Sequence, residues 1–149
     1  MMKNLSSKHL SLYFCILLSA THAEAGSADR PDKFSPCPDS PNCVSTQSTD
    51  KARLIEPLHY AGSLADARQK LISVLENTKR MRLVKVETDY IRAEFRSLIF
   101  QFVDDVEFYF SPDQAIIHVK SASRKGYYDF GANRRRVERL NAAFEKLAK

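Results

Sequence analysis

From about residue 53 onward the chain switches between two hydrophobic periods, and each switch marks an element. Leu64, Ala67, Leu71, Val74 and Leu75 recur at the three- and four-residue spacing of one helix face. Ser63 precedes them with Asp66 three residues on, a capping-box-like start. After Lys79 the period becomes two, with Ile91, Ala93 and Phe95 alternating with Arg92, Glu94 and Arg96, as in a strand buried on one face. Runs over 81–87, 90–97, 98–110 and 115–123 predict four successive strands, joined by turn residues at Thr88-Asp89 and Ser111-Pro112-Asp113-Gln114. The third run is long enough to bend or bulge. Val137, Leu140, Phe144 and Leu147 return to helical spacing, for a last helix over about 133–147. With a short strand at 53–58, the pattern predicts a single two-layer α+β domain: an antiparallel meander of four to five strands with two helices packed on one face, in the order β-α-β-β-β-β-α. Neither a repeat nor a second domain is visible.

The alternation also constrains the last hairpin. Val106, Phe108 and Phe110 share the core face with Ile117 and Val119 only if paired residue numbers sum to an odd value. A four-residue turn at 111–114 selects a sum of 225. That register sets Asp105 opposite Lys120 and Glu107 opposite His118 on the outer face, where such pairs contribute little. It sets Asp104 opposite Ser121 on the inner face. An ionised carboxylate there is costly without donors, and the candidates are the Ser121 and Ser123 hydroxyls and a guanidinium from Arg96 or Arg124. Two readings fit: a buried ion pair that fixes how the last helix docks, or a ligand-facing carboxylate or general base.

The first 25 residues do not join this pattern. Lys3 and Lys8, an apolar stretch over 10–20 and Ala23-Glu24-Ala25 read as a secretory signal cleaved before Gly26. The apolar stretch is shorter than the roughly 20 residues of a spanning helix, and no later segment is a spanning candidate. Export to the periplasm or the medium is therefore expected. Residues 26–50 are rich in Pro, Ser, Asp and Asn without periodicity, an irregular arm ahead of the α+β domain at 51–149. The arm carries Cys37 and Cys43, which an oxidising compartment favours as a disulfide. With only His59 and His118 left as further soft ligands, no metal or cofactor is expected.

Charge refines the partner class. The full chain carries a net charge of +5, and without residues 1–25 it keeps 21 basic against 17 acidic side chains, a mild +4 that does not suggest nucleic acid. The excess concentrates in 120–140, where Arg124, Arg134, Arg135 and Arg136 meet Gly126, Asp129, Gly131 and Asn133. Three arginines at a helix start oppose the helix dipole unless anions compensate. Asp129 and Asp104 are internal candidates; a phosphate or carboxylate held by free helix-start amides with Arg124, Arg134 and Arg136 is the external one. Helical angles place Arg136 beside the apolar stripe and Arg135 and Arg139 outward. Gly126 and Gly131 suit positive φ. Tyr127 and Tyr128 fit either a ligand pocket or the cap of a core.

The runs Cys37-Pro38-Asp39-Ser40-Pro41-Asn42-Cys43-Val44-Ser45, Arg96-Ser97, Phe102-Val103-Asp104-Asp105-Val106-Glu107 and Ser121-Ala122-Ser123-Arg124, with Gly126, Asp129, Gly131, Asn133, Arg134 and Arg136, resemble domain-of-unknown-function family 1499. The resemblance covers nearly all of the chain after residue 25 and carries no activity with it. It implies Asp104, Ser121, Ser123, Arg124, Asp129, Asn133, Arg134 and Arg136 as candidate site residues. Lys120 stands where the family pattern has arginine, and Tyr128 where serine is usual.

Three functions remain open: a non-catalytic exported domain that binds an anionic small molecule or envelope component through the arginines; a hydrolase-like enzyme with Asp104 or Asp129 as general base; or a purely structural module. The sequence holds no nucleophile elbow, phosphate loop or zinc motif to favour the second. Oligomeric state is not legible.

Overall fold

A computed structural model describes residues 34–148 of the chain, so the signal expected over 1–25 and the first part of the arm lie outside the described residues. The elements follow in the order β1 (Cys43–Ser45), β2 (Leu58–His59), α1 (Leu64–Glu76), β3 (Met81–Val86), β4 (Tyr90–Arg96), β5 (Val103–Phe110), β6 (Ile116–Ser123) and α2 (Ala132–Ala148). They form one antiparallel sheet in the order β1-β6-β5-β4-β3, with β2 pairing the same edge of β6 beyond β1. Both helices pack on one sheet face. The two-layer α+β architecture thus follows the hydrophobic pattern.

Ser63 caps α1 as its position suggested: its hydroxyl accepts from the Asp66 amide at 3.1 Å and donates to the Asp66 carboxylate at 2.7 Å. Ala67, Leu71, Val74 and Leu75 of α1 and Val137, Leu140 and Phe144 of α2 meet Ile91, Ala93, Val106, Phe108, Ile117 and Val119 of the sheet in one core. Leu147 remains half exposed at the end of the stripe.

Five details depart from the sequence pattern. The arm is not wholly irregular, because Cys43–Ser45 pairs with Lys120–Ala122 of β6 and holds the arm against the sheet edge. The 53–58 strand shrinks to a parallel bridge between Ser45 and Leu54 and the two residues of β2. The third strand begins only at Val103: Ser97 and Phe102 close a turn through Ser97 N–H to Phe102 O and Phe102 N–H to Ser97 Oγ, both 2.9 Å, and Gln101 at φ 55° breaks the extended backbone. The irregularity expected in that strand lies instead in β3, where the register shifts between Leu83 and Lys85. Finally, β5 and β6 pair with a sum of 227, as in Phe110 opposite Ile117, because Ser111 and Ile116 close the turn and Ala115 joins it. A shift of two keeps every side chain on its face. It changes the partners: Asp104 faces Ser123, Asp105 faces Ala122, and Glu107 faces Lys120.

Candidate functional site

Antiparallel pairing brings the three connections 77–80, 97–102 and 124–131 to one end of the sheet. The Arg96 amide donates to Arg80 O and the Arg124 amide to Val103 O, each at 3.0 Å. Two arrangements meet at this end: a closed polar joint and an open basic cleft.

The joint is built on Asn133, fully buried in the first turn of α2. Its amide hydrogens are shared among Asn42 O, Ser123 Oγ and Asp129 Oδ2 at 2.8–3.0 Å. Its Oδ1 accepts from the Ser121 hydroxyl at 2.6 Å and from Arg136 Nη1 at 2.7 Å. Arg136 also donates to Ser121 Oγ at 3.1 Å, forms an ion pair with Asp104, and lies 5.1 Å over the Phe95 ring. Asp104 therefore takes its charge partner from α2, and not from Arg96 or Arg124. Both side chains are about nine-tenths buried, the setting in which loss of one partner strands the other.

Asp129 supplies the negative charge at the helix start. It accepts from the Gly131 amide at 2.9 Å and the Asn133 amide at 2.8 Å. Burial works to raise its pKa, but these backbone donors and the Asn133 side chain outweigh burial and hold it below the usual carboxylate range. The amides that a phosphate would need are therefore engaged by Asp129. Gly131, at φ 75°, provides the left-handed step into α2, and Gly126 at φ 88° a second one earlier in the connection.

The other arginines separate. Arg124 lies on the outer sheet face, where it binds Asp105 at 2.7 Å and pairs with Glu94. Arg82 and Arg92 extend the lattice to the same carboxylates at 2.7 and 2.9 Å. Hydrogen bonds from Arg82 and Arg124 lower the Glu94 pKa, and those from Arg124, then Arg92, lower that of Asp105 against burial. Arg134 donates to Ala52 O and Leu54 O at 2.8 and 3.1 Å, and Arg135 to Phe130 O at 2.8 Å. Lys120, buried under the arm, donates to Ser35 Oγ at 2.7 Å and stands 3.8 Å from Glu107. The Cys37–Cys43 disulfide is formed, with Cα atoms 5.7 Å apart. Asn42, beside it, donates through its side chain to Gly126 O.

Beside the joint, the 77–80 connection between α1 and β3, the end of β4 and the flank of α2 enclose a cleft of ≈ 620 Å³. Phe95, Leu140 and Ala143 form its apolar wall; Lys79, Arg80, Arg96 and Arg139 stand around it, with the Asp104–Arg136 pair inside. No acid besides Asp104 lines it among the described residues. Among the described residues, Lys79, Arg80, Arg96 and Arg139 have no ion pair or side-chain hydrogen bond, and all four are exposed. Arg139, expected to point outward from the domain, lies three residues after Arg136 and so on the same helix flank. Arg80 sits at φ 59°, left-handed without being glycine, in the tight turn that carries it to the cleft. Lys79 and Arg80 carry no motif, so the sequence alone does not single them out; only the junction of α1 with β3 brings them to Arg96.

The implied residues therefore fall into three places. Asp104, Ser121, Ser123, Asp129, Asn133 and Arg136 converge in the joint; Arg96 lines the cleft; Arg124 and Arg134 serve the outer face and the 52–54 backbone. No group of three or more metal-ligating side chains occurs among the described residues, and no described helix is long and apolar enough to cross a membrane. Chemically, the joint offers saturated hydrogen bonds and paired charges, whereas the cleft offers unpaired cations beside an apolar wall. No curated protein matches the chain. The model of the family described as "Protein of unknown function (DUF1499)" matches residues 33–144, three quarters of the sequence, and the chain belongs to that family.

Proposed function

We propose that this is an exported, non-catalytic domain that binds an anionic small molecule or envelope component in the cleft between the 77–80 connection, the end of β4 and α2. The observation that carries the reading is the surplus of charge: Lys79, Arg80, Arg96 and Arg139 surround a cleft whose only carboxylate among the described residues, Asp104, is already paired with Arg136. Unpaired guanidinium groups in a concave setting favour phosphate or carboxylate. Asp104 and Asp129 are poor general bases in these surroundings, since each is held by donors on the protein itself. The inner cluster is accordingly assigned to positioning α2, and the rim of the cleft to binding.

Titration calorimetry with inorganic phosphate and pyrophosphate tests the reading. The wild type is expected to bind, and Arg96→Ala combined with Arg139→Ala to weaken binding by at least about tenfold, roughly the loss of 1.4 kcal/mol. Melting temperature is expected to stay within a degree or two, because both side chains are exposed. Absence of binding by the wild type, or undiminished binding by the double variant, overturns the proposal.

A further inference from the structure

Among the described residues, the end of the domain that carries the cleft also carries most of the exposed large apolar side chains. In the β4–β5 turn, Leu98, Ile99 and Phe100 are 66%, 77% and 72% exposed. In the connection from β6 to α2, Tyr127, Tyr128 and Phe130 are 72%, 64% and 80% exposed, so neither tyrosine caps a core. The Phe100 and Phe102 rings stack at 5.5 Å, and Tyr128 meets Phe130 edge-on at 5.5 Å. These residues cluster at loop tips, whereas scattered single exposures would need no explanation.

Charge is distributed in the same direction. Segments 77–80, 97–102 and 124–131 contain Lys79, Arg80 and Lys125, besides Arg124, which is paired with Asp105 and Glu94, against one acid, Asp129, which is occupied at the α2 start. Arg96 and Arg135 flank them. The turns at the opposite end, 87–89 and 111–115, contain Glu87, Asp89 and Asp113 and neither lysine nor arginine. The turns are thus polarised along the strands, basic and apolar at one end and without cations at the other, where Glu87 takes its partner from Lys85 of β3.

We infer that the basic end is a docking surface for an anionic lipid bilayer, with Leu98, Ile99 and Phe100 entering the headgroup boundary and Tyr127 and Tyr128 lying at headgroup level. Projecting apolar tips ringed by cations match the layering of such a surface, in which phosphates lie above hydrocarbon. Tyrosine suits the boundary between the two. A second copy of the chain is a worse occupant, since a two-fold contact would set Arg80, Arg96 and Lys125 against their own equivalents. The inference rests on the anion-binding reading of the cleft and names its anion as the phosphate of a lipid headgroup.

The chain contains no tryptophan, so Phe100→Trp gives a reporter at the loop tip. In the full chain, with any contribution of residues 1–33 common to all variants, vesicles of phosphatidylcholine with phosphatidylglycerol are expected to sediment the protein and shift the emission of the introduced indole to the blue. Vesicles of phosphatidylcholine alone are expected to do neither. Ile99→Ser with Phe100→Ser is expected to weaken sedimentation at least about tenfold while leaving phosphate binding in the cleft unchanged, since neither residue lines it. Equal sedimentation of wild type and loop variant, or no blue shift, overturns the membrane inference, and retained phosphate binding shows that the cleft reading survives it. Self-association abolished by the loop variant, or a soluble protein partner that competes for the tips in place of vesicles, overturns it as well.

Discussion

Arg136 shows how one side chain can be legible in kind and not in partner. Its place beside the apolar stripe of α2 indicates an inward role, and the inner-face parity of Asp104 demands a donor. That the two meet depends on how α2 approaches the start of β5, which local spacing does not encode. The register escapes local spacing for a smaller reason, a turn closing at Ser111 and Ile116 that moves pairing by two without disturbing any face. Because Asp104 and Arg136 are both largely buried, Arg136→Ala is expected to destabilise by about 3 kcal/mol, the penalty of a stranded buried carboxylate. Asp104→Asn is expected to cost less than Arg136→Ala, since the amide still accepts a hydrogen bond. Urea denaturation of the two variants measures the difference; a loss under about 1 kcal/mol for Arg136→Ala would falsify the assignment of this pair to the docking of α2.

Among the elements, those with clean periodicity are legible in the sequence and those held by long-range pairing are not. The Ser63 cap and the apolar stripes determine α1 and α2 from within, and alternation does the same for β4, β5 and β6. The three residues of β1 have no such signal; they are extended because β6 offers a free edge and the neighbouring disulfide shortens the arm. The 97–102 turn misleads in the opposite sense, since Leu98, Ile99, Phe100 and Phe102 have strand-forming composition but no core to face. Removing the disulfide by Cys37→Ser with Cys43→Ser is expected to lower stability by about 2 kcal/mol, as the chain-entropy model gives for so short a loop. Hydrogen exchange is expected to increase first at the Cys43–Ser45 amides and their partners on β6, with the β4–β5 ladder unaffected; uniform exposure of the whole sheet would show that the arm is integral to the core.

For the whole molecule, the outer-face lattice and the α2 start make stability depend on pH in one direction. Glu94, Asp105 and Asp129 have folded pKa values below their ordinary values of 4.5, 3.8 and 3.8. Between the folded and unfolded values the unfolded chain binds more protons, so their contribution is full above the ordinary values and lost as pH falls through the folded ones. His118, whose pKa is lowered from 6.5 by burial, adds a smaller loss of the same sign that begins at higher pH. The melting temperature is therefore expected to decline gently below about pH 6.5 and steeply below about pH 4.5; a scan showing maximal stability in acid contradicts this. The joint between Asn42 and Asn133 spans 91 positions of the chain, and it has a consequence for the order of assembly. A growing chain can form α1 and the β3–β4 hairpin early, but β1 has nothing to pair with until β6 exists, and Asn42 has no Asn133 to receive it until α2 begins. Closing so large a loop is entropically late, so the segment made near the beginning is among the last to be set in place.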